Sequence, residues 1–173
     1  KLLKKQISSF KDDFEYPIML AELYEKNEKT KDASKIYQGL IDDYASTSYT
    51  VLTLYKAFKQ ANKNEYAFAC LEKGRKSLKN DFPLNIQFAE MYLSMNQAEK
   101  MIDEYLNFLE LNYSNMDLVQ ISLSNYIDFS DENNKESELL KSKLLTLVQK
   151  KPNDFVYSEM LIWLLIQKKQ FNS

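Results

Sequence analysis

The sequence predicts an all-α protein built from helix–turn–helix units, and three observations lead there. Glycine numbers 2 and proline 3 among 173 residues, about 3% together against a usual ~12% for the pair. Strand connections lean on these residues for positive or preset φ, so a sandwich, a barrel or a doubly wound sheet is not expected. Apolar residue types recur along the chain at a shift of 34 residues. Within each copy they are spaced as helix faces. With 45% apolar and 28% charged residues, the composition is that of a folded chain.

The elements follow in order. Leu2, Leu3 and Ile7 open the chain inside an amphipathic pattern, so residues 1–13 are expected to form the second helix of a preceding unit. Three units of 34 residues then cover 14–47, 48–81 and 82–115. Leu20, Leu54 and Phe88 correspond by the shift, as do Tyr24, Phe58 and Tyr92. Ala21 and Ala89 correspond as small residues, with the larger Tyr55 between them. In the second half of each unit come Ala33, Ala67 and Met101, then Tyr37, Leu71 and Tyr105, then Leu40, Gly74 and Phe108. Leu20, Ala21 and Tyr24 share one helix face, and Ala33, Tyr37 and Leu40 share another. The polar stretches 27–31, 61–64 and 95–98 fit the turns between paired helices. Pro83 fits the opening turn of a helix, with Asp81 as its cap.

A longer unit covers 116–154. Val119, Leu123 and Tyr126 keep the phase of a first helix, whereas Leu140, Leu144, Leu147 and Pro152 fit a second helix displaced by five residues. The displacement is read as an insertion around Phe129 to Asn134. Residues 155–173 then supply the first helix of a further unit.

Leu20-Ala21…Tyr24…Ala33…Tyr37, Leu54…Phe58…Ala67…Leu71…Gly74 and Phe88-Ala89…Tyr92…Tyr105 together resemble the tetratricopeptide repeat, a 34-residue helix–turn–helix unit. The chain departs from that pattern in three places. Met101 stands where the pattern has a small residue, Tyr55 is large, and the closing proline appears only at Pro152. The resemblance implies a right-handed α-solenoid whose stacked units share one core and present a concave side. The aromatic residues at inter-helix positions are then core. Both ends interrupt the pattern, so the chain is expected to be a segment of a longer array.

Several chemistries lack their usual residues. There is no histidine, the commonest general base and metal ligand. Cys70 is the one cysteine, and Arg75 the one arginine among 23 basic residues. Gly39 and Gly74 are too few for a phosphate-cradling loop. A net charge of −2 gives no electrostatic pull toward nucleic acid or an anionic membrane. The longest apolar run, Met160–Ile166, is seven residues, far short of the ~18 of a membrane span. No catalytic role, cofactor or metal is therefore expected, and neither nucleic acid nor membrane insertion is expected of this segment.

The resemblance implies a peptide groove lined mainly by first helices. Its lining would be Glu15, Ile18, Glu22 and Lys26, followed by Tyr49, Leu52, Lys56 and Lys59. Ile86, Glu90 and Leu93 would continue it, with Gln120, Ser124 and Ile127 next and Glu159 and Trp163 last. Relatives that grip a chaperone's C-terminal carboxylate use lysine and asparagine at fixed lining positions. Those positions here hold Ile18 and Glu22, Leu52 and Lys56, and Ile86 and Glu90, so that clamp is missing. A mixed groove suits an apolar peptide flanked by charges. The apolar members equally suit packing between units, and the charged ones a solvated face.

Five further features have plain readings. Asp131 to Asn134 gathers oxygens but lacks the glycine and alternate ligands of a calcium loop, and either Asp131 or Asn134 could cap the following helix. Trp163 is either a ligand anchor or a residue packed against a further unit. Cys70 reads as a small packing residue. Gly74 falls where helices approach closely, and Gly39 has no such role.

The function implied is a protein- or peptide-binding scaffold. A structural or regulatory arm of a larger enzyme or sensor is the alternative, as is an assembly module that self-associates through uncovered terminal helices. The lysine- and asparagine-rich style points to a bacterial source, with the envelope, the periplasm and the cytoplasm all open.

Overall fold

The computed structural model describes residues 13–131 and 133–171, which are helical and contain no strand. They divide into two compact units, residues 1–84 and 85–173. The first holds α1 (Glu15–Lys26), α2 (Thr30–Tyr44), α3 (Ser48–Gln60) and α4 (Asn64–Leu78), with a 3-10 turn at Lys79–Asp81. The second holds α5 (Asn85–Ser94), α6 (Ala98–Leu111), a 3-10 turn at Tyr113–Asn115, α7 (Met116–Ser124), α8 (Lys135–Lys150) and α9 (Phe155–Phe171). The helix expected over residues 1–13 lies, but for Asp13, outside the described residues.

The 34-residue period is written into the helix ends. Helices α1, α3 and α5 stop at Lys26, Gln60 and Ser94, and α2, α4 and α6 start at Thr30, Asn64 and Ala98. Each turn has one left-handed residue: Glu28 at φ 61°, Asn62 at 56° and Asn96 at 55°. The amide after it reaches back over the helix end. Lys29 N–H donates to the Tyr24 carbonyl at 2.9 Å, Lys63 to Phe58 at 2.8 Å and Gln97 to Tyr92 at 2.9 Å. This is the Schellman arrangement, which satisfies carbonyls that the helix leaves without partners.

In the first unit, α1 pairs with α2 and α3 with α4 as hairpins, and α2 also packs on α3 and α4. Tyr37, Leu54, Phe58 and Leu71 are fully buried between them, each contributing about 1.5–3 kcal/mol of apolar burial. Tyr37, Phe58 and Tyr66 form a ring cluster, the Tyr37 and Tyr66 centroids lying 4.5 Å apart. Lys63 pairs with Glu25 and sits 5.5 Å from the centre of the Tyr37 ring. Thr47 and Thr50 cap α3 reciprocally, each side chain accepting the other's amide, as in a capping box.

The two glycines differ. A Cβ at Gly74 would meet both Val51 methyls at 2.7 Å, so the missing side chain lets α3 and α4 close. A Cβ at Gly39 would meet nothing within 4 Å.

Pro83 does not open a helix, contrary to expectation. Leu84 turns left-handed at φ 60° and delays the start of α5 to Asn85. The Pro83 carbonyl instead accepts from Arg75 Nε at 2.7 Å. Asp81 closes the 3-10 turn rather than capping α5.

In the second unit, α5 and α6 repeat the hairpin. Asn85 Nδ2 donates to the Glu104 carboxylate at 2.8 Å in a buried setting. The expected insertion appears as a ten-residue connection, 125–134, after a nine-residue α7. Here the strong hairpin is α8 with α9, while α7 packs on α6. The connection folds inward: Ile127 and Phe129 are buried in the unit's core with Leu123, Leu140 and Leu164. Asn134, rather than Asp131, caps α8 by accepting the Ser137 amide at 2.8 Å. Asp131 accepts the Asn133 amide at 2.9 Å, and Asp128 accepts that of Ser130 at 2.9 Å.

Candidate functional site

The first-helix residues divide into exposed positions and core. In the first unit Glu15, Lys26, Tyr49 and Lys56 are exposed, while Glu22, Leu52 and Lys59 are half-buried. Ile18 is 3% exposed, so it is core and not lining. Glu15 and Lys56 meet at one concavity of about 470 Å³, lined also by Asp13, Phe14, Thr53, Ala57 and Gln60. Its walls are the start of α1 and one face of α3 (residues 53, 56, 57 and 60), neighbours at helical spacing. Phe14 is held by an edge-on contact with Tyr44, ring centroids 5.0 Å apart. The Asp13 carboxylate accepts the Glu15 amide at 3.0 Å, fixing the entry to α1. The mouth thus carries acids on one wall and a lysine on the other, over a small apolar floor.

In the second unit Glu90, Ser124 and Glu159 are exposed, and Ile86, Leu93 and Gln120 are half-buried. Ile127 is 3% exposed and belongs to the core, because α7 ends at Ser124 and the connection turns it inward. Trp163 is half-buried with its ring against Phe129, centroids 5.5 Å apart at 87°. Its ring thus packs against the inserted connection.

Several charged and reactive groups elsewhere have structural roles. Burial pushes the Cys70 thiol up to about 12, so it stays protonated at neutral pH and is no nucleophile. Burial, opposed in part by the nearby Lys63 charge, raises the Tyr37 phenol to about 12. Lys151 and then Tyr157 donate to the Glu110 carboxylate and hold it below its usual range. Among the described residues, no group of three or more acidic, cysteine or histidine side chains could hold a metal ion. No described helix is long and apolar enough to cross a membrane.

Sequence reasoning missed a second surface. Tyr113, which precedes α7, donates its hydroxyl to the Glu159 carboxylate on α9. That bond, the charge of Glu159 and then the charge of Asp117 raise the Tyr113 phenol. The signal was present as apolar residues left over from the core pattern, Leu118 and Ile121 on α7 and Ile162 on α9.

Compared with protein-family models, with curated proteins and with solved structures, the chain matches none.

Proposed function

We propose that the chain is a protein- or peptide-binding scaffold made of tetratricopeptide-like repeats stacked as a solenoid, and that it is not itself a catalyst. The observation that carries this reading is the concavity between α1 and α3, where first-helix residues Glu15 and Lys56 meet over Phe14 and Ala57. Its two walls belong to the first helices of consecutive 34-residue units. The recurrence of helix ends and left-handed turns at that spacing supports the repeat assignment. Mixed charge around an apolar floor suits an extended segment whose backbone and side chains are both held.

The test is panning of a random-peptide display library on the immobilised chain. A binding sequence family should emerge, and members seated at this concavity should lose roughly tenfold in affinity with Lys56→Glu, about 1.4 kcal/mol. Circular dichroism should remain unchanged, since Lys56 is exposed. A library that yields no enriched sequence would sink the reading.

A further inference from the structure

The formal charge of −2 conceals a division. Residues 1–84 carry 15 basic and 12 acidic side chains, and residues 85–173 carry 8 and 13. Within the second unit the imbalance is concentrated further. Between Asn85 and Asn134 the chain has one basic residue, Lys100, against nine acidic ones. Along α7 the only charged residue is Asp117, and over residues 155–167 of α9 it is Glu159.

Those same stretches expose large apolar side chains. Ile121 on α7 is 62% exposed and Ile162 on α9 is 57%, with Leu118 and Ile166 exposed beside them. Asp117, Leu118 and Ile121 share one face of α7, and Glu159, Ile162 and Ile166 share one face of α9. The Tyr113–Glu159 hydrogen bond ties the start of α7 to the α9 face, and Asp117 acts on the same phenol. Among the described side chains, the charged groups on these two apolar faces are Asp117 and Glu159. Lys151, the basic residue nearest in sequence before α9, is paired with Glu110.

We infer that this α7–α9 face docks a cationic amphipathic peptide, one with apolar residues every three or four positions and lysine or arginine flanking them. The inference rests on the peptide-binding reading but assigns a different surface and a partner charge. Burial of Ile121 and Ile162 would supply the contact area, and Asp117 and Glu159 the sign. A second copy of the same face would bring like charges together, and an anionic lipid surface or nucleic acid would be repelled for the same reason.

The test uses three labelled synthetic peptides: an amphipathic leucine–lysine peptide, its leucine–glutamate counterpart, and a serine–lysine peptide with the same charge and no apolar face. Fluorescence anisotropy with the whole chain should show saturable binding of the first alone, weakening as salt is added. Asp117→Lys with Glu159→Lys should cost about tenfold or more in affinity. Ile121→Ser, at an exposed position, should lower the affinity without changing helicity. Equal binding of the leucine–glutamate peptide overturns the inference. So does affinity unmoved by either variant, or no binding of the leucine–lysine peptide. In each of those cases the scaffold reading stands or falls separately, because library panning reports sequences of any charge at any surface.

Discussion

The rings of Phe129 and Trp163 meet edge to face, 5.5 Å between centroids, joining the inserted connection to the middle of α9. The connection is therefore part of the core. Phe129→Ala should cost about 3–5 kcal/mol of unfolding free energy, the range for removing a buried phenylalanine. Trp163 is the only tryptophan, so its emission reports the site directly. A red shift together with a lower denaturation midpoint is the expected pair of readings. Unchanged emission would mean that Phe129 does not cover the indole.

The glycines give a matched pair. Gly39→Ala should stabilise by up to ~1 kcal/mol, since alanine favours helix and its Cβ meets open space. Gly74→Ala should destabilise by about 1–3 kcal/mol, because its Cβ would press on both Val51 methyls at 2.7 Å and overpacking outweighs the helix preference. Urea denaturation of the two variants should move the midpoint in opposite directions.

The three left-handed turn residues are not equally suited to their backbone. Asparagine tolerates that conformation and glutamate does so poorly. Glu28→Gly should therefore stabilise by roughly 0.5–1 kcal/mol. Asn62→Ala should destabilise by a similar amount on the same grounds. Thermal melts of the two variants at neutral pH decide it.

Cys70 and Tyr37 predict a loss of stability in alkali. Both groups have a folded pKa raised to about 12, against ordinary values near 8.5 and 10. A raised folded pKa means that the unfolded chain releases its proton first as pH rises. The stability these groups contribute is whole below pH ~8.5 and declines from there toward pH 12. The melting temperature should fall across that window, and Cys70→Ala should flatten its lower part. In the folded state the thiol should not react with a disulfide reagent at neutral pH until denaturant is added.

Much of the architecture was legible because the turns are short and constant. Three residues between paired helices, repeated at one spacing, leave little freedom in where a helix can end. The expected turns at 27–31, 61–64 and 95–98 each contain the left-handed residue. Legibility failed where an element's neighbours decide the outcome. The phase of α1 puts Ile18 on the lining face, but packing buries it. Ile127 was expected on a first helix, yet α7 ends at Ser124 and the chain turns Ile127 inward. Pro83 looked like a helix start, but the left-handed Leu84 behind it had no signature in the sequence. The acidic excess of residues 85–173 was hidden by arithmetic, since it and a smaller basic surplus in residues 1–84 sum to a charge near zero.

The recurring left-handed residue has a consequence for how the chain tolerates change. A helix that simply frays has no fixed end, so an extra residue inside it would rotate every later side chain by about a third of a turn. Glu28, Asn62 and Asn96 instead close α1, α3 and α5 with hydrogen bonds of the chain's own backbone. An error of register upstream ends at that closure, and the next helix starts afresh. The ten-residue connection after α7 shows the same tolerance: α8 begins at its own cap, Asn134, and still buries Leu140 and Leu144. Length variation can thus collect at the turns of such a chain while the faces of its helices stay in phase.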